Sequence, residues 1–373
     1  MKIVFTGGGT GGHIFPIVAI CREIRKIYPD NQIKLFYLGP KEKYAAASLT
    51  KEGVKIKRIC AGKMRRYFSL WNFLDFLKIP VGISQSFFWL FFHAPDIVFS
   101  KGGYGSLPVV LAARILGIPI FLHESDSVPG AASKITARWA VEVFVSFLNK
   151  ELFPNEKIVY LGNPIREEVL AGKKEEAKEF FGLKGIKPII LVLGGSQGAQ
   201  KINETILEIL PELLTDFEII HQTGEKNFKS VQIEAEAILE NEDLKKFYHP
   251  VGFLEEKQYA AALATADLVI SRAGAGAIFE IAGAGKPAIL VPLDGSAQNH
   301  QIKNAYAFKE MGAGEVIEQK NLTSHFLLEK LKHLFSRPDI LATMSKNSKL
   351  FAKPRAAYII ASYLVEYLKV MVK

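Results

Sequence analysis

One local pattern occurs twice in this chain: a short apolar run, then a glycine-rich stretch, then a helical pattern. Lys2–Thr6 leads into Gly-Gly-Gly-Thr-Gly-Gly, and Pro188–Leu193 leads into Gly-Gly-Ser-Gln-Gly-Ala. Apolar runs of this length are typical of buried parallel strands, and glycine lets the backbone turn tightly into the next helix. The repeat therefore predicts two Rossmann-like domains, each built on a doubly wound parallel sheet.

Further short apolar runs alternate with helical patterns, as in α/β proteins whose helices cover both faces of a sheet. The predicted strands are Ile3–Phe5, Lys34–Leu38, Ile97–Phe99, Ile118–Leu122, Ile189–Leu193, Glu218–Ile220, Leu268–Ile270 and Ala288–Val291. Hydrophobic periodicity weakens near residue 163. We therefore expect an N-terminal domain at 1–163, a C-terminal domain at 164–350 and an amphipathic helix within 351–373 that packs back on the N-terminal domain.

Length, charge and cysteine content exclude several classes of protein. A chain of 373 residues is expected to form two domains, and its net charge of +9 favours an anionic partner, with nucleic acid, acidic lipid and nucleotide all open. Two cysteines cannot form a disulfide framework, and no Cys/His spacing suggests zinc.

The sequence contains no predicted targeting or membrane-spanning segment. The N-terminus does not resemble a signal peptide, and Ile79–Phe92, the longest uncharged apolar window, is too short to span a membrane. We expect a cytoplasmic protein.

Three glycine loops are candidates for binding a phosphorylated ligand. Gly7–His13 precedes a helix predicted to open at Pro16, but Leu38-Gly39-Pro40 lacks the acid that a dinucleotide site needs. Gly194–Gly198 lacks the Gly-Lys-Ser/Thr ending of a nucleoside-triphosphate loop, which disfavours ATP hydrolysis. The third loop, Arg272–Ala277, is followed by a third predicted helix. Helix N-termini bind phosphates through free N–H groups, so the loops predict a diphosphate ligand in the cleft between the domains. Tight turns without a ligand are the alternative.

Seven motifs carry a resemblance to one family. They are GGGTGGHIFP, GGYGSLP, HE, GNPIR, GGSQGA, SRAGAGAIFE and HQIKNA, in that order over nearly the whole chain. The chain resembles the MurG family, the N-acetylglucosaminyltransferases that convert lipid I to lipid II in peptidoglycan synthesis, and so act in cell-wall biogenesis and cell division. The resemblance implies the two-domain GT-B fold and transfer of N-acetylglucosamine from its UDP ester to the muramoyl 4-hydroxyl with inversion. It implies no cofactor, no metal and no nucleic-acid partner.

The resemblance also implies a donor site for UDP-N-acetylglucosamine. Its residues would be Asp126, Arg166, Ser196, Leu254, Gly276, Ala277, Glu280, His300 and Gln301. Glu280 would accept hydrogen bonds from the ribose hydroxyls, Arg166 and Ser196 would meet the diphosphate, and the main chain near Leu254 would face the uracil. Taken singly, Arg166 could equally be a surface ion pair, and Gln301 a solvated helix residue.

The acceptor site and the catalytic base are expected in the N-terminal domain. The resemblance implies that Thr10, Gly11, Gly12 and Tyr104 hold the acceptor diphosphate. His13 is the candidate general base, because an imidazole with an ordinary pKa near 6.5 can take a hydroxyl proton at neutral pH. The alternatives for His13 are a helix cap and a hydrogen bond to the acceptor diphosphate.

The chain departs from the family pattern at one place. Where the family has His-Glu-Gln-Asn, this chain has His123-Glu124-Ser125-Asp126. An amide both donates and accepts hydrogen bonds, whereas the Asp126 carboxylate only accepts. The acid-x-acid pattern of Glu124 and Asp126 also resembles the metal site of another glycosyltransferase architecture, which we discount because helix dipoles and cations can offset the leaving charge.

A basic and aromatic segment, 63–92, predicts an anionic membrane surface as a partner. Leu70–Phe76, preceded by cations, is the predicted membrane contact, and Phe87–Phe92 is predicted to be domain core. With the resemblance, this predicts a peripheral enzyme on the cytoplasmic face of the plasma membrane. Two other functions remain: a related GT-B transferase acting on another glycolipid, and a non-catalytic dinucleotide- or nucleic-acid-binding protein.

Overall fold

The chain forms two compact units, seen here in a computed structural model. The structure describes residues 1–8, 11–29, 32–41, 43–62, 70–148, 153, 157–195 and 198–372, with backbone only at 43–46, 70–77, 297 and 372. One unit comprises Met1–Arg166 together with Pro354–Lys373, and the other comprises Glu167–Lys353. The boundary predicted at residue 163 lies close to this division.

The first unit is built on a parallel sheet of seven strands in the order β3-β2-β1-β4-β5-β6-β7. Its strands are β1 (Lys2–Thr6), β2 (Lys34–Gly39), β3 (Lys55–Arg58), β4 (Ile97–Ser100), β5 (Ile120–Glu124), β6 (Ala140–Val145) and β7 (Ile158–Tyr160). Its first helices are α1 (Gly11–Ile27), α2 (Lys43–Lys51), α3 (Leu70–His93), α4 (Leu107–Ile115) and α5 (Ala131–Ala137).

Strand β1 shows why continuous apolar runs form these central strands. Ile3 and Phe5 are buried in the apolar cluster on one face of the sheet, and Val4 is buried in the cluster on the other face. A strand covered on both faces gains from apolar side chains at every position. The edge strand β3 has mostly exposed side chains, so it lacks the apolar run by which β1, β2, β4 and β5 were predicted.

The second unit repeats the same architecture with six parallel strands in the order β10-β9-β8-β11-β12-β13. Its helices before and between the first strands are α6 (Glu167–Leu170), α7 (Lys174–Phe181), α8 (Gln200–Glu208), α9 (Leu210–Asp216), α10 (Phe228–Ile238), α11 (Glu242–Lys245) and α12 (Glu256–Thr265). Its strands are β8 (Ile189–Leu193), β9 (Glu218–Gln222), β10 (Tyr248–Val251), β11 (Leu268–Ser271), β12 (Ala288–Leu290) and β13 (Gly314–Val316). The remaining helices are α13 (Ala275–Gly283), α14 (His300–Glu310), α15 (Ser324–Phe335) and α16 (Pro338–Phe351).

The last helix, α17 (Ala356–Val372), belongs to the first unit. It packs along α1 and buries Ile360, Leu364 and Leu368 completely in the same apolar cluster as Ile3. The Tyr363 hydroxyl donates a hydrogen bond of 3.0 Å to the Glu142 carboxylate on β6. The core of the first unit is therefore completed by residues from the end of the chain.

Both sheets place a topological switch point between their two central strands. In the first unit β1 pairs with β4, and in the second β8 pairs with β11. Chain connections leave such a pair in opposite directions, so the loops after the two strands separate and leave a crevice at the carboxyl edge. The glycine-rich stretches begin at these carboxyl edges.

Helix α3 corrects one prediction about the aromatic run. Leu90 is buried and Phe87 and Trp89 are partly buried, but Phe88, Phe91 and Phe92 are 56%, 60% and 77% exposed. The prediction that this run is domain core is wrong for these three residues, because a helix packed on α4 buries only one of its faces. The side chains of Leu70–Phe76 lie outside the described residues.

Candidate functional site

The glycine loops after β1 and β4 touch each other in the first unit. Gly103 has a φ of +77°, and a Cβ there would lie 2.4 Å from the Gly8 carbonyl oxygen and 3.2 Å from Nε2 of His13. Only glycine fits this position, both for its backbone conformation and for lack of space. His13 is the third residue of α1, which begins at Gly11 and contains Pro16, so the prediction of a helix opening at Pro16 is wrong. Pro16 is the sixth residue of α1, so its missing N–H removes one intrahelical hydrogen bond but does not begin the helix.

A buried tyrosine fixes the start of the first glycine loop. Tyr37 on β2 is fully buried, and its hydroxyl donates a hydrogen bond of 2.7 Å to the Gly7 carbonyl oxygen. A Cβ at Gly8 would lie 3.0 Å from the Pro40 ring. The loops after β1, β2 and β4 are thus packed together at one edge of the sheet.

Arg166 ends the first unit and lies beside α1. Its side chain is only 6% exposed, and its guanidinium carbon lies 4.3 Å from the centre of the Phe15 ring. This cation–π contact holds the Arg166 guanidinium close to the start of α1, because Phe15 is only two residues after His13.

Glu124 organises the loop between β5 and α5. Its carboxylate accepts hydrogen bonds from the backbone N–H of Asp126 at 3.0 Å and of Gly130 at 3.4 Å. Burial, and then the nearby charge of Asp126, raise the pKa of Glu124 to about 7. Among the described residues, no group of three or more His, Cys, Asp or Glu side chains is close enough to hold a metal ion.

Lys101 is a buried lysine at the carboxyl end of β4. Its ammonium donates hydrogen bonds to Nδ1 of His123 at 2.7 Å, to the Ser125 hydroxyl and, at 3.5 Å, to Oδ1 of Asn163. Burial lowers the pKa of Lys101 to about 8, against the opposing attraction of Glu124 and then Asp126.

The protonation of His123 follows from its neighbours. Its Nε2 lies 3.0 Å from the Gly162 carbonyl oxygen, which only accepts, so Nε2 carries the proton and Nδ1 accepts from Lys101. Burial, and then the charge of Lys101, hold the pKa of His123 well below its usual range. His123 is therefore neutral and acts as an acceptor for the buried ammonium.

Three glycines in the loops of the second unit face open space. Gly195 has a φ of +73°, and a Cβ at Gly195, Gly274 or Gly276 would meet no atom of the described residues within 4 Å. Helix α13 starts at Ala275 with Gly274 as its N-cap, so its first N–H groups face this open space. An anionic group could approach this helix N-terminus closely. Glu280 lies in the second turn of the same helix and is half-buried.

Gln222 connects two segments of this edge. Its Nε2 donates to the Gly195 carbonyl oxygen at 3.4 Å, and its Oε1 accepts from the Leu254 N–H at 3.1 Å. Leu254 is buried, with 3% exposure. The loop after β8 and the segment after β10 are therefore held in one arrangement by a single side chain.

The segment before α14 has an unusual backbone. Gln298 and Asn299 both have a φ of +55°, in the left-handed region, and His300 begins the helix immediately afterwards. The Gln301 side-chain oxygen accepts from the Leu293 N–H at 3.0 Å, and its backbone N–H donates to the Ser296 hydroxyl at 3.4 Å. Gln301 thus connects the start of α14 to the segment after β12.

Comparisons with known proteins identify the family. The glycosyltransferase family 28 N-terminal domain matches residues 3–145, and the corresponding C-terminal domain matches residues 189–359. A solved structure from Acinetobacter baumannii, of MurG, superimposes with a TM-score of 0.75 at 27% identity, over 98% of this chain and 99% of that one. A Bacillus cereus protein is 38% identical over 92% of this chain and 94% of its own length; it is named UDP-N-acetylglucosamine–N-acetylmuramyl-(pentapeptide) pyrophosphoryl-undecaprenol N-acetylglucosamine transferase 2.

The chain belongs to the MurG family. A Treponema denticola transferase with the corresponding name is 35% identical over 98% of this chain and 97% of its own length. The family resemblance and the GT-B fold predicted from the sequence are confirmed, and the protein is a glycosyltransferase.

The structure brings the predicted MurG-family residues together in two groups. In the first unit His13, Gly11, Gly12 and Tyr104 lie in or directly after the touching loops, with Arg166 near α1. In the second unit the described donor residues follow the carboxyl ends of β10, β11 and β12 and are Leu254, Gly276, Ala277, Glu280, His300 and Gln301. Asp126 follows β5 in the first unit. Thr10 and Ser196 lie outside the described residues, and the ligand roles of all these residues remain predictions.

Sequence reasoning missed the polar residues that support these loops. Tyr37, Lys101 and Gln222 stand within or directly after apolar strand runs, where a polar side chain is unusual and requires a partner. That position in the sequence was the available signal. Their partners lie 30, 22 and 32 residues away, respectively, and no local pattern indicates them.

Proposed function

We propose that this protein transfers N-acetylglucosamine from UDP-N-acetylglucosamine to the 4-hydroxyl of the muramoyl sugar of lipid I, giving lipid II. The observation that carries the proposal is 38% identity, over 92% of the chain, to a relative whose name specifies this donor and this acceptor. The N-termini of α1 and α13, which begin beside the switch points, support it, because the free N–H groups at the start of a helix can bind a diphosphate.

The donor would bind to the second unit. The first N–H groups of α13, at Gly276 and Ala277, would meet the diphosphate, and the positive end of the helix would stabilise the departing UDP. Glu280, in the second turn, would accept hydrogen bonds from the ribose hydroxyls. Gln301 would contact the sugar, and the segment at Leu254 would face the uracil. Arg166 would add a charge-assisted hydrogen bond to the diphosphate.

The acceptor would bind at the touching loops of the first unit. The N–H groups of Gly11 and Gly12 open α1 and suit a second diphosphate, with Tyr104 in the neighbouring loop. The acceptor hydroxyl oxygen attacks the anomeric carbon, His13 takes the hydroxyl proton, and the bond to UDP breaks on the opposite face of the sugar. One carbon–oxygen bond forms as another breaks, so the configuration inverts.

Release of UDP tests the function. We expect the protein to release UDP from UDP-N-acetylglucosamine only when lipid I is present, with lipid II formed in equal amount. A reaction without lipid I is the control for hydrolysis. If UDP is released with another glycolipid but not with lipid I, the related transferase is the correct function, and no release with any acceptor would contradict the enzyme assignment.

We also propose that an anionic membrane covers one face of the first unit. Phe88, Phe91 and Phe92 project from α3, and Lys57 and Arg58 on the edge strand β3 are exposed. A cavity of about 310 Å³ lies between these elements, lined by both cations, Phe88 and Phe92. Exposed aromatic side chains beside cations suit the interface of a bilayer with acidic headgroups. None of the helices in the described part of the chain is both long and apolar enough to cross a membrane.

With this attachment the enzyme would be a peripheral protein at the cytoplasmic face of the plasma membrane, as the family resemblance predicts. Leu70–Phe76, the membrane segment predicted from the sequence, belongs to the same helix, and its contact with lipid stays a prediction.

Replacing Phe91 and Phe92 together by serine should move the protein from anionic vesicles into the soluble fraction. Each aromatic side chain contributes on the order of 1–2 kcal/mol on insertion, so the bound-to-free ratio should fall at least about tenfold. Sedimentation with vesicles containing acidic phospholipid measures this. The control is serine at Ile186 and Ile233, two exposed apolar residues of the second unit, 75% and 67% exposed. Equal sedimentation of the two double variants would contradict the proposed surface.

A further inference from the structure

The buried ammonium of Lys101 connects three segments of the first unit. Its side chain is 2% exposed, and it stands directly before Gly102 and Gly103 in the loop after β4. Its three acceptors belong to other segments: His123 lies in β5, Ser125 follows β5, and Asn163 follows β7. An ammonium has three N–H donors, and here each of them has an acceptor.

These hydrogen bonds reach the segments that carry two proposed donor contacts. The Ser125 hydroxyl, which accepts from Lys101, donates in turn to Oδ1 of Asn163 at 3.0 Å. Asp126 is the next residue after Ser125, and Arg166 follows three residues after Asn163. The conformations of both backbone segments therefore depend on one side chain of the β4 loop.

The charge of Lys101 also has a specific counterpart. Glu124 and Asp126 are both close enough to attract the ammonium electrostatically. The family resemblance implies an asparagine at the position of Asp126, so the carboxylate there is one additional negative charge. Asp126 is partly buried, and a partly desolvated charge is costly unless an opposite charge is near. The Lys101 ammonium supplies an opposite charge.

We propose that Lys101 is a positioning residue for the transfer reaction, whose ammonium balances the carboxylate of Asp126 and holds the segments that present Asp126 and Arg166 to the sugar nucleotide. This inference rests on the proposed function. Lys101 is buried, and its three N–H groups all donate hydrogen bonds to protein acceptors. It therefore acts through these segments and does not touch the substrate.

Kinetics of four proteins test the proposal: wild type, Lys101→Met, Asp126→Asn and the double variant. Lys101→Met should lower kcat/KM for UDP-N-acetylglucosamine about tenfold, mainly by raising the KM for this donor, with the KM for lipid I little changed. Asp126→Asn should change kcat/KM little in the wild-type background, because the amide oxygen still accepts a hydrogen bond and Glu124 still attracts Lys101. In the Lys101→Met background the same change should raise kcat/KM about threefold or more, because it removes the unbalanced carboxylate.

The difference between the two backgrounds distinguishes the electrostatic balance between Lys101 and Asp126 from a general loss of structure. If Asp126→Asn has the same effect in both backgrounds, the proposal is overturned, as it is if Lys101→Met leaves the donor KM unchanged. Lys51→Met, at an exposed lysine of α2, is the matched control and should have wild-type kinetics. A wild-type protein that releases no UDP overturns the proposed function instead. The electrostatic balance between Lys101 and Asp126 is then tested by the melting temperatures of the same four proteins. If Asp126→Asn shifts the melting temperature equally in both backgrounds, the balance is overturned.

Ser125→Ala covers the case in which Lys101→Met does not fold. This variant keeps the ammonium and removes the hydroxyl between Lys101 and Asn163. The donor KM should rise several-fold with kcat nearly unchanged. An unchanged donor KM would overturn the positioning role.

Discussion

His13→Ala should lower turnover by on the order of a hundredfold or more, the usual effect of losing a general base. His13 lies in the first turn of α1, and its Nε2 is close to Gly103 in the loop after β4. At this edge it would reach the attacking hydroxyl of an acceptor held by the α1 N-terminus. His13 is in the first unit, whereas the described donor residues are in the second unit, except for Asp126 and Arg166. UDP binding by the variant should therefore stay at the wild-type level. Steady-state kinetics with lipid I, together with calorimetric titration of UDP, measure both quantities.

The same kinetics separate the base from the other roles considered for His13. A raised KM for lipid I with unchanged turnover would mean that His13 only binds the acceptor diphosphate. Unchanged turnover and unchanged KM, with a lowered melting temperature, would mean that it only stabilises the start of α1. His325→Ala, in an exposed part of α15, controls for the general effect of removing an imidazole.

Glu280→Ala should weaken UDP binding by about ten- to a hundredfold. A hydrogen bond from a hydroxyl to a charged acceptor contributes roughly 1.5–3 kcal/mol, and the ribose offers two hydroxyls to one carboxylate. Glu280 lies five residues after Ala275, the first residue of α13. The helix rises about 7.5 Å over this length, a span comparable to the distance from a diphosphate to its ribose. Calorimetric titration of UDP measures the change.

Glu280→Gln should cost less than Glu280→Ala, because the amide oxygen still accepts a hydrogen bond. Glu234→Ala, at an exposed position of α10, removes a carboxylate of the same unit and should bind UDP like the wild type. Wild-type affinity in Glu280→Ala would show that this carboxylate is an ordinary helix charge and that the family role does not hold at this position.

The sequence predicts the central strands well because burial on both faces leaves a continuous apolar run. The strand at Ile189–Leu193 is found with the predicted bounds. The strand predicted from Ile118 begins at Ile120, since Ile118 and Pro119 still belong to the turn after α4. Short or exposed strands such as Lys55–Arg58 and Gly314–Val316 carry no such run. They are strands because they form hydrogen bonds with a neighbouring strand, and their side chains are not buried on both faces of the sheet.

The candidate site was predictable where one motif carries its own geometry, as in a strand, a glycine loop and a helix N-terminus. It was not predictable where the geometry joins distant segments. Lys101 and Asn163 are 62 residues apart, and nothing near either residue indicates the other. The aromatic run had the same limitation, because composition says how apolar Phe87–Phe92 is but not which side of α3 packs on α4.

The position of α17 determines the order in which the protein can fold during synthesis. Ile360, Leu364 and Leu368 complete the core around α1, and they leave the ribosome after the whole of the second unit. All of Glu167–Lys353 emerges before them, so the second unit can reach its native state while the first still exposes an apolar stripe. Until α17 emerges, the nascent first unit exposes an apolar surface that can associate with other chains, although most of its residues are made before the second unit.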